Sequence, residues 1–279
     1  MTSNYQKQLN HIFDRPIAEE AWYWSPEEEP VWDESDPLAA FEFIEQLCLT
    51  AKTDLAPFSN DQIGVGLNYI FNYSQLIHDF KNADVPFERR EKAVRSLFFV
   101  FRDVLNPRCA HELGHKAQVS QSKINDFCYM FWDVCPLSTW LQFVDTEQMG
   151  LSFIASLSDS GLENLGLPES VVEMMKQQIV QLQTDFLTPK TIAENVQQQY
   201  QNIDAETRGY YAAIADVMQN CLGLSNPACV ESGLHGLGHM ATFLPDIAVP
   251  IIDTYLKNKK NKNKDLINYA KTARTGIIL

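Results

Sequence analysis

Along most of the chain, apolar residues recur every three or four positions, the period of a helix that buries one face. The first such stripe is Leu38, Phe41, Ile44 and Cys48, with Asp36 as a candidate N-cap and Pro37 at the first helical position. Ser59-Asn60-Asp61 is a second capping cluster, ahead of Ile63, Leu67, Ile70, Phe71 and Ile77. Glu88 to Leu105 carries Val94, Leu97, Phe98, Phe101, Val104 and Leu105 on one side. Asn106-Pro107 then reads as the start of a further helix, and Phe127, Met130, Phe131 and Val134 mark the next. After a third apolar stretch, Leu137 to Leu157, Pro168 opens an amphipathic helix with Met175, Ile179, Leu182 and Phe186. Ala205 to Cys221 is helical too. No segment alternates as a half-buried strand does, and no Asn-Gly or Asp-Gly hairpin turn occurs. The pattern predicts an all-α fold.

Weak internal repeats sharpen that expectation. Phe101-x-Asp103-Val104 returns as Phe131-x-Asp133-Val134, Arg95 to Val104 aligns with Arg208 to Val217, and Asn-Pro-x-Cys occurs at both Asn106 and Asn226. Such offsets suit stacked helical hairpins, each too small to bury its own apolar face. The expected architecture is a HEAT-like α-helical repeat body over 37–279, with a candidate sub-boundary near 160–168, preceded by an acidic, aromatic arm over 1–36.

Charge changes the picture most in that arm. The 279 residues carry a formal net charge of -14. Residues 1–54 hold twelve acids against three bases, so nine of the fourteen net charges fall there. Nucleic-acid binding needs a basic footprint and is not expected. An acidic surface favours a basic protein partner instead. Trp22, Tyr23, Trp24, Glu27, Glu28, Glu29 and Trp32 are the candidate partner-binding residues, since aromatic anchors carry much interface energy. No apolar run approaches the roughly 20 residues a bilayer span requires, and the N-terminus has no signal-peptide pattern. A cytoplasmic location is expected, with the six cysteines as reduced core thiols. The oligomeric state is left open.

The candidate chemistry lies in two histidine pairs. His111-Glu112-Leu113-Gly114-His115 matches the zinc-hydrolase pattern in which two histidines one helical turn apart hold the metal and the glutamate acts as base. Gln121 stands where the extended pattern wants its third histidine, and the second copy places Glu231, Ser232 and His235 opposite His111, Glu112 and His115. Those departures favour packing histidines, no cofactor and no catalytic residue. Two alternatives remain. One is a zinc-dependent hydrolase with Glu112 as base. The other is a metal site shared by His111, His115, His235 and His239, with Cys109, Cys229 and Glu231 in reserve.

Finally, the acidic, all-helical character and the stretch Gln62-Ile-Gly-Val-Gly66-Leu-Asn-Tyr-Ile-Phe71 resemble bacterial immunity proteins, the antitoxins that protect a cell from its neighbours' toxins. The resemblance implies a non-enzymatic inhibitor that neutralises a basic toxin or enzyme by occluding it. It assigns no role to any single residue.

Overall fold

The computed structural model describes residues 4–18, 20–25, 37–73, 85–116, 122–135, 137, 168–185, 203–258, 263–276 and 278. Among them every regular element is helical: α1 (Asn4–Phe13), α2 (Pro37–Asp54), α3 (Asn60–Asn68), α4 (Phe87–Val100), α5 (Lys123–Val134), α6 (Glu169–Asp185), α7 (Ala205–Cys221), α8 (Pro227–Phe243), α9 (Pro245–Lys257) and α10 (Lys264–Ala273). The all-α expectation holds. No helix among these residues is long and apolar enough to cross a membrane. The backbone forms two compact units, 1–138 together with 204–279, and 139–203. In the smaller unit the described part is α6, which follows Pro168. The apolar stretch Leu137 to Leu157 lies almost wholly outside the described residues, as do Asp36 and the acidic arm from Pro26.

In the larger unit, polar caps set the helix starts. Ser59 accepts from the Gln62 amide while the Gln62 side chain accepts from the Ser59 amide, a complete capping box for α3. Ser122 caps α5 through the Asn125 amide. Asp204 caps α7. Asn226 caps α8, with Pro227 in the first turn where its missing N–H costs nothing.

Packing joins elements far apart in sequence: α2 on α4, α3 on α5, α4 on α7, and α8 on α5, α7, α9 and α10. Phe71, Phe101, Phe127, Phe131 and Trp132 form an aromatic cluster at the centre, meeting mostly edge to face. The buried guanidinium of Arg90 bonds the Val85 carbonyl at 2.8 Å and Glu206 at 2.6 Å, tying α4 to α7. The two similar segments meet directly. Arg95 of the first pairs with Asp216 of the second, and Asn106 with Asn226.

Gly64 is where α3 touches α5, because a Cβ there would overlap the Lys123 carbonyl and lie 2.5 Å from the Ile124 nitrogen. Both obstacles are backbone, so neither can swing aside. Gly64→Ala is therefore expected to destabilise the protein by about 2–3 kcal/mol, at the upper end for overpacking. Urea unfolding checks this, and an unchanged midpoint would contradict such close contact.

Candidate metal centre

The two Asn-Pro-x-Cys segments have different fates. At the second, Asn226 is extended and caps a helix of 17 residues. At the first, Asn106 is itself helical (φ -58°, ψ -43°), continuing α4 through a π-helical turn at Phe101–Leu105, and the helix ends at Arg108. Asn106-Pro107 thus closes a helix instead of opening one. The Asn106 side-chain oxygen, which a cap would use on its own helix, accepts from the Asn226 amide at 2.8 Å.

The stretch from His111 to Leu113 is not α-helical, and Gly114–Lys116 is a single 3-10 turn. Other helices satisfy the backbone of this loop. Asn125 of α5 accepts from the Ala110 amide at 2.9 Å and donates to the Ala110 carbonyl at 3.1 Å. Glu231 of α8, fully buried, accepts from the amides of Gly114 at 2.6 Å and His115 at 3.2 Å, and pairs closely with His115 Nδ1. His111 and Glu112 are exposed. The one-turn spacing on a helix that a zinc hydrolase requires of His111, Glu112 and His115 is not formed.

The second pair behaves otherwise. His235 and His239 are one turn apart on α8 and face Asp133 of α5. Gly236 makes this approach possible: a Cβ there would sit 2.6 Å from Cγ of Trp132, the residue before Asp133. A side chain at that point would push α5 away and Asp133 with it.

The three ligand atoms converge. His235 Nε2 lies 2.9 Å from each Asp133 oxygen and 3.0 Å from His239 Nε2, and His239 Nε2 is in close contact with one of those Asp133 oxygens. Two protonated Nε2 atoms can both donate to the carboxylate; with the rings bare at Nε2, the same three atoms can share one cation. With metal–ligand bonds of about 2.1 Å, adjacent ligand atoms stand about 3.0 Å apart in an octahedron and about 3.4 Å in a tetrahedron.

Electrostatics keeps the carboxylate ionised. Burial by itself would raise the Asp133 carboxyl, but hydrogen bonds and charge from His235 and His239 outweigh it and hold the group below the usual carboxylate range. The ligand is therefore an anion at neutral pH. The other ring nitrogen of His235 faces the Tyr269 hydroxyl of α10 at 2.5 Å, and Tyr129 packs edge-on against the same ring. Burial pushes the Tyr269 phenol up, with Tyr129, Glu231 and Asp133 adding to the effect, so it stays protonated.

Of the four histidines proposed to share a metal, the structure brings together His235 and His239, with Asp133 as third group. His115 goes to Glu231 instead. The reserve ligand Cys229 lies 3.9 Å from Cys128 sulfur to sulfur, and Cys109 sits against both thiols, which together lower it to about 5. All six cysteines are buried and unbridged. Sequence reasoning missed Asp133. Its signal was a carboxylate in an apolar helix, at the position where Phe-x-Asp-Val recurs.

In the arm, Trp22 and Tyr23 are half-buried. Arg15 lies over the Trp22 ring at 4.7 Å, the Tyr69 ring is 4.7 Å from it, and the Tyr23 hydroxyl accepts from Asn68 at 2.9 Å. Trp24 is 55% exposed, its ring 5.8 Å from that of Tyr23. Glu27, Glu28, Glu29 and Trp32 lie outside the described residues. Comparison of the chain with known protein families, curated proteins and solved structures finds no match.

Proposed function

We propose that this protein is a metal-clamped helical binding protein. A divalent transition metal such as zinc is held by Asp133, His235 and His239 and fastens α5 to α8, and the acidic surface engages a basic protein partner as an immunity-type inhibitor would. The observation behind the metal is the convergence of two Nε2 atoms and a carboxylate oxygen, with His235 Nε2 about 3 Å from each of the others and His239 Nε2 in close contact with the carboxylate. Imidazole ligands favour zinc, iron, copper or nickel over calcium or magnesium. Support for the partner is the net charge of -14, concentrated at the front of the chain, together with exposed Trp24.

A second reading makes the metal catalytic. Three protein ligands leave coordination positions for water or substrate, and the His239 side chain is 39% exposed. The non-enzymatic reading is preferred because Glu112, the base of the local motif, is exposed on a stretch that is not helical.

Elemental analysis of protein purified without chelator tests the metal. One zinc per chain is expected, and both His111→Ala and Glu112→Gln should retain it. Zinc lost with His111→Ala would return the site to the first motif. Turnover of peptide or ester substrates that disappears when zinc is removed would favour the catalytic reading. For the partner, deleting residues 1–36 should weaken binding of the cognate basic protein, and unchanged affinity would exclude the arm as interface.

A further inference from the structure

We infer that Tyr269 is a positioning residue for the metal: its hydroxyl takes the Nδ1 proton of His235 and so keeps Nε2 of that ring turned towards the ion. This rests on the metal reading above and extends it from the ligands to the group that orients them.

His235 is 2% exposed, so both its ring nitrogens need partners inside the protein. Nε2 faces Asp133 and His239, and Nδ1 faces Tyr269. A neutral imidazole carries one proton. If Nε2 binds a metal, that proton sits on Nδ1 and requires an acceptor. The Tyr269 oxygen, 2.5 Å away, is placed to be it. Having accepted from His235, the Tyr269 hydroxyl keeps its own proton to donate, and the Tyr129 hydroxyl is a neighbour with which it interacts. No two protons are then opposed between His235 and Tyr269.

Packing holds this order in place. Tyr269 is 8% exposed, its ring stacks near-parallel to His235 with centroids 6.2 Å apart, and His115 lies 4.7 Å from it on the loop side. Asp265, one turn earlier on α10, pairs with Lys116 at 2.6 Å. The C-terminal helix therefore reaches the site through Tyr269, and metal affinity depends on that helix being docked.

Tyr269→Phe keeps the ring and removes only the oxygen. Zinc affinity, measured by competition with a chromogenic chelator, is expected to fall at least tenfold, in the range typical of lost outer-sphere hydrogen bonds. Nitrogen-15 NMR of the imidazoles in zinc-loaded wild-type protein should show His235 protonated at Nδ1 and metal-bound at Nε2. Wild-type affinity in the variant would overturn the inference while leaving the metal reading intact. Zinc on Nδ1 of His235, or a wild-type protein that takes up no zinc, would overturn both. In zinc-loaded wild-type protein the Nδ1 proton of His235 should exchange slowly with water and lie next to the Tyr269 hydroxyl by NMR; a rapidly exchanging Nδ1 proton would overturn the inference even if Tyr269→Phe fails to fold.

Discussion

His235→Ala protein is expected to contain no zinc and to be insensitive to added zinc, whereas wild-type stability rises as zinc is supplied. His235 is the only one of the three ligands that is fully buried, and it touches both of the others. Its loss removes the buried ligand and leaves only the Asp133–His239 pair, too few groups to hold the ion. A ligand that binds only the folded state adds about 2.7 kcal/mol when present at 100 times its Kd. In wild-type protein that gain should raise Tm by several degrees; in the variant the rise should vanish. The variant should also be weaker without metal, by about 2–3 kcal/mol, because Asp133 keeps only the half-exposed His239 as partner and the Tyr269 hydroxyl loses the buried ring nitrogen it faces. Calorimetry with and without zinc separates the two effects. Equal zinc responses in wild type and variant would sink the site.

Asn226→Ala should be the most destabilising change in the Asn-Pro segments, costing about 3–5 kcal/mol. The side chain is fully buried and makes three hydrogen bonds. Its amide donates to the Asn106 carbonyl at 3.1 Å and the Cys109 carbonyl at 2.8 Å, and its oxygen accepts from Ala228 at 3.0 Å. Alanine would leave all three partners without it at the start of α8, the helix that carries two of the proposed metal ligands. Asn106→Ala is the comparison. That side chain is half-buried and accepts from the Asn226 amide and more distantly from Ser225, so about 1–2 kcal/mol is expected. Urea midpoints for the two variants give the order. Equal losses would mean that the segments are interchangeable, contrary to their different geometry.

Much of the fold could be read from residue order because its signals are local. Of the stripe Val94, Leu97, Phe98, Phe101, Val104 and Leu105, all but the half-buried Phe98 are buried as the spacing demands, and Ser59 caps α3 as its hydroxyl and the following Gln62 allow. Gly233 and Gly236 of α8 mark its close approaches to Met218 and Trp132. Local reasoning fails at Asn106. Asn-Pro is a competent helix start in isolation, and one copy uses it so. At the other copy the side chain is claimed by Asn226, 120 residues away, and the helix ends there.

The candidate site divides along the same line. Sequence alone determined that the chain is helical and acidic, that His235 and His239 share a helix face, and that one of the two histidine segments repeats without its glutamate. Only tertiary structure decided which pair could hold a metal. The third ligand, Asp133, comes from another helix 102 residues away from His235, brought in because Gly236 lets Trp132 approach. The better-known motif is held off-helix by Asn125 and Glu231, whose hydrogen bonds replace those a helix would supply. A motif fixes the spacing of its side chains along the chain. Whether they share a face depends on which distant groups satisfy the backbone between them, and that is a property of the packed molecule.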